Sequence, residues 1–554
     1  MSFSTRVSGG ITRTALRLLY GLSIKGRNEF DQALVNVESV QKKKLGALLT
    51  LGKNTDAALK YGLHPEMSYS EFSDKMPVTT YTDWENLVLE QKKAQNGALT
   101  QEHCERYQPT SGSSSKMKWI PYTPSFLKEL DQAISPLLVN AFQKNPGIFK
   151  GKHYWSLSWI PTHLRTKISP DANDDIKLLP WWKRVFMSLT MAVPTEVSFA
   201  ATSEGSMIAS LACLAACKDL SLMSVWSPTF SINMFEQMAR HKDELVRILR
   251  QGSWGDRQQE LFHVPCPCSK SAADVLSRWN GDVSPEFVKQ IWPDMALVSS
   301  WDTSSSRIWA GELKKLFPHA GFLGKGLWAT EGVVTIPYKD KYPLAVNSHF
   351  YEFLDPVTNT IYPPWGLKKG QVVKPLLSTG SGFFRYDLND QVRVYDFIEN
   401  CPCLEFLGRV EGIDMTGEKL TPDIASEIIK KTADRFGIKA LALVATSGHA
   451  RDNEKPRYNL LCENKKDNEL EKQVARFAED LLGESFHYKL AAEIGQLGQL
   501  KAIFHPECRK IYQKRNENRG MILGDMKIEP LVLWNDNDAE YMQRLTGESH
   551  VNFE

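Results

Sequence analysis

The 554-residue chain has no uninterrupted apolar stretch near the ~20 residues that a membrane-spanning helix requires. Its mostly apolar run Met207 to Cys217 is too short to cross a bilayer and reads as a buried helix. The cysteine framework of a small secreted protein is missing too. Nine cysteines lie at irregular spacing in a large chain, which points to a reducing, cytoplasmic home. The close pairs Cys266 with Cys268 and Cys401 with Cys403 have one intervening residue and no second half, which argues against zinc. Nor is there an excess of one charge: 67 basic residues stand against 65 acidic, a net charge of +2. That balance excludes a general nucleic-acid binder, so any anionic partner must be recognised locally. Internal repeats, low-complexity tracts and a Gly-Lys-Ser/Thr phosphate loop are likewise absent.

What remains is a globular composition, 42% hydrophobic and 24% charged, at a length that calls for more than one domain. Before Glu29 the chain carries Arg6, Arg13, Arg17, Lys25 and Arg27 and no acid, a superficial likeness to a transit peptide. Ile11, Leu16, Leu18, Leu19 and Leu22 offer a simpler reading, the buried face of an opening helix. Helical spacing continues to about Leu63, with a lysine-rich interruption at Lys42 to Lys44. Residues 125–142 and 203–249 also read as largely helical, and 307–317 as a helix. Short segments at 295–298, 333–336, 349–353, 391–395 and 404–407 read as strands. The mixture predicts an α/β architecture. After Arg409, helices at 424–436 and 469–482 alternate with strands at 440–446 and 458–462, a compact α+β unit. The expected division is therefore 1–408, a large domain, and 409–554, a smaller one.

Three segments carry chemistry. Thr110-Ser111-Gly112-Ser113-Ser114-Ser115-Lys116-Met117-Lys118 combines backbone N–H groups, hydroxyls and positive charge, which suit a polyphosphate. Read alone, it also fits an ordinary flexible loop. Lys325-Gly326-Leu327-Trp328-Ala329-Thr330-Glu331-Gly332 sets a hydroxyl and a carboxylate side by side, and such a carboxylate suits Mg²⁺, a cation that prefers oxygen ligands. A plain turn is the competing reading. In Gly382-Phe383-Phe384-Arg385-Tyr386-Asp387-Leu388-Asn389-Asp390, the last aspartate can accept from ribose hydroxyls or close a hairpin.

Together with SHFYEF at 348–353, FLGRVEGIDMTGEKL at 406–420 and GDMKIEP near the end, these segments resemble adenylate-forming enzymes over nearly the whole chain. In detail they resemble the acyl acid amido synthetases of the Gretchen Hagen auxin-responsive family, particularly its bacterial branch. The resemblance implies an adenylate-forming large domain, a mobile smaller domain, and ATP with Mg²⁺. It further implies a small carboxylic acid and an amine, an amino acid, as substrates. Thr110, Ser111, Gly112, Ser113 and Lys118 would surround the phosphates, with Thr330 and Glu331 beside the adenylate and metal. Asp390 would bind ribose and Arg409 would lie at a hinge. Lys419 and Lys527 are the candidate mobile-domain lysines, Lys527 being the one expected to act in catalysis with Lys118 and Glu331. Ser115, Asp387 and Asn389 depart from the family's usual glycine, arginine and glycine, which leaves two other readings open. One is an adenylating enzyme with a thiol or protein acceptor, the other a nucleotide-binding protein with impaired catalysis.

Overall fold

The computed structural model describes residues 3–94, 97–110, 118–156, 189–303, 306–409, 412–413, 415–416, 418, 420–446, 455–493, 497–519 and 527–547. The chain forms two compact units that divide inside the strand Cys401–Arg409, after Phe406.

In the first unit, four short parallel strands run in the order Lys152–Trp155, Leu220–Ser224, Leu297–Ser299 and Gly321–Leu323. Parallel strands need long crossovers, and helices such as Ser203–Ala216 and Pro228–Arg240 supply them. The strand Leu220–Ser224 is buried throughout. It lies within a stretch whose spacing predicts helix, a correction with a physical reason: a central parallel strand is buried on both faces, and this one, with Ser221 and Ser224 enclosed as well as its apolar residues, shows no regular in-and-out alternation. A second sheet orders Ile361–Tyr362, Phe350–Leu354, Val372–Ser378, Asp390–Ile398 and Cys401–Arg409, with Tyr386–Asp387 pairing beside Val372–Ser378. The predicted strand at 333–336 shrinks to Gly332–Val333, and Thr335 makes only an isolated bridge to Leu344.

The opening helix Phe3–Val35 packs along Pro124–Lys144, burying Leu16 and Leu19. Leu18 and Leu22 are about half exposed, so the predicted buried face is narrower than its sequence spacing implies. Helices Tyr69–Lys75 and Tyr81–Ala94, which no motif signalled, add a layer against the second sheet.

The second unit is a four-stranded sheet ordered Lys501–Phe504, Arg457–Cys462, Ala440–Thr446 and Leu531–Trp534, covered by helices Pro422–Phe436 and Asn468–Leu482. Thr421 is the N-cap position and Pro422 opens the helix, as the sequence predicts, while Gly437 closes it in the left-handed conformation. Among the described residues, no helix is long and apolar enough to cross a membrane.

One buried group gives the first unit an acid-sensitive point. His153 is fully enclosed, and burial pushes its imidazole down to about 4 against the opposing pull of the Ile148 carbonyl. The unfolded chain, near 6.5, then binds more protons than the folded one, so stability is complete above about 6.5 and is lost as pH falls toward 4. Going from pH 7 to 4.5 should cost about 2–3 kcal/mol through this residue. Urea denaturation at both pH values, in the wild type and in His153→Leu, isolates that share as the difference between their pH dependences.

Candidate active site

The hydroxyl-rich segment closes a hairpin. Strands Arg106–Thr110 and Lys118–Tyr122 pair antiparallel with Thr110 opposite Lys118, so the two ends of the loop are held together. Ser111, Gly112 and Ser113 lie outside the described residues, as does Lys419. At the other end of the second strand, Tyr122 Oη donates to the Thr330 carbonyl at 3.1 Å. This joins the hairpin to a second, tighter one.

That second hairpin pairs Trp328–Ala329 with Gly332–Val333 and leaves Thr330 and Glu331 as its two turn residues, both half-buried. Several contacts fix the turn from below. His349, fully buried, accepts the Val333 N–H at Nε2 (3.1 Å), and its Nδ1 faces Glu129 Oε2 at 2.7 Å. Accepting at Nε2 places the proton on Nδ1, which donates to the carboxylate. The same Glu129 oxygen accepts the Gly380 N–H at 2.9 Å, and Tyr351 Oη donates to the Val333 carbonyl at 2.6 Å. A Cβ on Gly332 would lie 2.9 Å from His349 Nε2 and 2.7 Å from Leu377, so only glycine fits above this imidazole.

The segment Thr79 to Trp84 links both hairpins to the third motif. Tyr81 Oη accepts the Trp119 N–H at 2.8 Å, and the Lys118 ammonium stands 5.8 Å from the Tyr81 ring centre. Burial pushes the Tyr81 phenol up; the Trp119 backbone opposes this, and the charges of Glu85 and Glu331 add to it. Lys118 and Glu331 therefore both act on one tyrosine. Two residues earlier, Thr79 donates its N–H to the Arg385 carbonyl (3.0 Å) and its hydroxyl to the Phe384 carbonyl (2.8 Å), and its own carbonyl accepts from the Asp387 N–H (2.8 Å). Trp84 Nε1 donates to Thr79 Oγ1, and the indole stacks on Phe383.

The two departures in the third motif have local accommodations. Asn389 adopts φ of 60°, the left-handed conformation that asparagine tolerates better than most residues after glycine. Asp387 forms a partly buried ion pair with Lys374 (2.5 Å) and accepts the Asn389 N–H at 2.7 Å. Asp390 follows, buried, as the first residue of Asp390–Ile398.

In the second unit, Arg409 ends its strand, and Lys527 is half-buried shortly before Leu531–Trp534. Next to Lys419 in the sequence, Glu418 shapes the loop. Its carboxylate accepts from Tyr458 Oη (2.6 Å) and from the backbone N–H groups of Met415 and Thr416 (2.9 and 2.8 Å). Burial alone would raise this carboxyl; the Tyr458 and backbone bonds hold it below the usual range. The sequence motifs alone assign no role to Glu418, Thr79, Tyr81, Glu129 or His349. Only His349 and Glu418 sat inside quoted motifs, SHFYEF and GEK.

The model of the GH3 family N-terminal domain matches residues 26–322, and that of the GH3 family central domain matches 342–409. The chain is 23% identical over 444 residues to the indole-3-acetic acid-amido synthetase GH3.6 of Arabidopsis thaliana, covering 70% of each protein. It is 22% identical over 421 residues to the jasmonoyl–L-amino acid synthetase JAR4 of Nicotiana attenuata, covering 69% of this chain and 70% of that one. Among solved structures, GH3.15 acyl acid amido synthetase superposes with a TM-score of 0.75 at 16% identity over 94% of this chain and 95% of that one. A 2-hydroxyisobutyryl-CoA ligase in a postadenylation state gives 0.54 at 11% identity over 94% and 93%. Both likenesses establish the adenylate-forming fold.

Proposed function

The chain belongs to the GH3 family, and on that premise we propose that it is an ATP-dependent acyl acid amido synthetase, an acid–amino acid ligase working through an acyl-adenylate. The observation that carries the reading is the meeting of Lys118 and the Thr330–Glu331 turn around Tyr81, with the Phe383–Asp387 segment fastened to the same short stretch of chain through Thr79.

A carboxylate is a poor acyl donor because its leaving group is oxide. Attack of the acid on the α-phosphate of ATP replaces that leaving group with AMP and expels pyrophosphate. Negative charge gathers on the phosphate oxygens as this happens, and fixed donors and cations lower the barrier. Lys118 and the loop from Thr110 through Ser111, Gly112 and Ser113 supply them. Glu331, on a rigid turn beside the Thr330 hydroxyl, offers the hard oxygen that Mg²⁺ takes along with substrate phosphates, and the ion would neutralise phosphate charge there. Asp390 accepts from the ribose hydroxyls. The amine of an amino acid then attacks the acyl carbon, forming the amide bond as AMP leaves. Arg409 serves as hinge, and Lys419 and Lys527, on the smaller domain, reach the nucleotide in different half-reactions, Lys527 in the adenylating one.

The reading is tested with [³²P]pyrophosphate exchange into ATP across a panel of carboxylic acids, followed by amino acids and mass analysis of the product. An N-acyl amino acid and AMP are expected in equal amounts. A thioester in place of the amide, or ATP binding with no exchange for any acid, overturns it.

A further inference from the structure

A cavity of about 90 Å³ lies in the first unit between the parallel sheet and the helix Pro124–Lys144. Its upper rim is Trp226, Lys325 and Trp328, the last two belonging to the segment that continues into Thr330 and Glu331. Sheet register gives the depth. Trp155, Ser224, Ser299 and Leu323 form one rung, and His153, Leu222 and Leu297 the rung below, farther from the turn. Residues 153 and 155 are two apart on one strand, so their side chains leave the same face.

Among the described residues, two polar atoms of this lining are buried without a hydrogen-bond partner, His153 Nδ1 and Trp155 Nε1. They are opposite in kind. His153 Nε2 lies 3.2 Å from the Ile148 carbonyl, to which it must donate, so Nδ1 is a bare acceptor; indole Nε1–H is only ever a donor. Burial also keeps this imidazole neutral at ordinary pH. Buried polar atoms seldom go unpaired, and a missing water or ligand is one recognised reason when they do. A single hydroxyl group answers both needs, donating to one and accepting from the other. Among the described lining residues, Lys325 alone carries a formal charge; its ammonium donates to Ser224 Oγ at 2.5 Å and stands 4.8 Å from the Trp226 ring centre. A positive charge at the rim suits an acid that enters tail first.

We propose that this cavity takes the body of the acid and selects one with a hydroxyl at the end remote from its carboxyl group, held between His153 Nδ1 and Trp155 Nε1. The inference rests on the amido synthetase reading above. The volume limits the buried body to a short chain or at most a single ring, since it is below the ~150 Å³ of the apolar cavity that admits benzene in an engineered protein.

The test is pyrophosphate exchange with three matched pairs: 3-phenylpropanoic and 3-(4-hydroxyphenyl)propanoic acid, phenylacetic and 4-hydroxyphenylacetic acid, hexanoic and 6-hydroxyhexanoic acid. In at least one pair the hydroxylated acid should have roughly 10- to 100-fold the kcat/KM of its partner, the scale set by leaving buried polar groups unpaired. His153→Leu and Trp155→Phe should each bring that ratio toward one, and Trp155→Phe keeps the test available if the other fails to fold. Exchange with a ratio near one in every pair, or only with acids lacking such a hydroxyl, overturns the proposal and leaves the ligase intact. No exchange with these or any other acid overturns both.

Discussion

Glu331→Ala should lower pyrophosphate exchange by about 10³-fold or more, the scale of losing a principal charge-stabilising contact at a reacting phosphate, while the melting temperature stays at the wild-type value. The two halves of that expectation have separate grounds. Exchange depends on phosphate charge being neutralised as the α-phosphorus is attacked, and alanine removes the carboxylate that would hold the ion. Folding depends on the turn, and the turn stands on its neighbours: Tyr122 at the Thr330 carbonyl, His349 at the Val333 N–H and Tyr351 at the Val333 carbonyl. Glu331→Gln separates shape from charge and should behave like alanine. The Mg²⁺ concentration giving half-maximal exchange should rise in whatever activity is left. Exchange within tenfold of wild type in both variants removes the metal role from this residue.

The same turn shows where the sequence was readable and where it was not. Its residues could be picked out because turn and hairpin chemistry is local: a hydroxyl and a carboxylate next to glycine, flanked by short apolar strands. The α/β class was legible for a similar reason, since helical and strand spacings repeat over ten or so residues. What escaped were partners distant in sequence. Glu129 meets His349 across 220 positions, and Thr79 meets Arg385 across 306, and neither pairing leaves any periodicity to read. The strand Leu220–Ser224 was lost between two helices because five buried residues, three apolar and two serine, with no regular alternation look alike in either conformation. Asp387 and Asn389, read as departures that put the site's geometry in question, gain local meaning from Lys374 and from the left-handed backbone. Much of the wording that marks the family therefore supports the site from beneath it.

Arg385 is the strongest case of such support, and removing its partner should destabilise the first unit by about 3–5 kcal/mol, the usual cost of stranding one member of a buried ion pair. Its guanidinium is 2% exposed and the Glu352 side chain 1%. Nε and Nη2 meet the two carboxylate oxygens at 2.8 and 2.6 Å, a bidentate pair. The remaining donors reach the Ser73 and Met76 carbonyls and Ser73 Oγ, tying the helix Tyr69–Lys75 to both motifs. Arg385 itself sits at φ of 49°, a strained conformation for a long side chain that persists only because these contacts hold it. In Glu352→Ala the positive charge would remain in a site closed to water. The strand Tyr386–Asp387 would then lose its anchor, so thermal unfolding and pyrophosphate exchange should deteriorate together. A double replacement, Glu352→Leu with Arg385→Met, removes both charges and should recover much of the stability, because apolar groups of like size can fill such a site at little cost. Recovered stability without recovered exchange would assign the pair to positioning Tyr386 through Asp390. A single variant as stable as the wild type, or a double variant as unstable as the single, would show that the ion pair does not hold this motif in place.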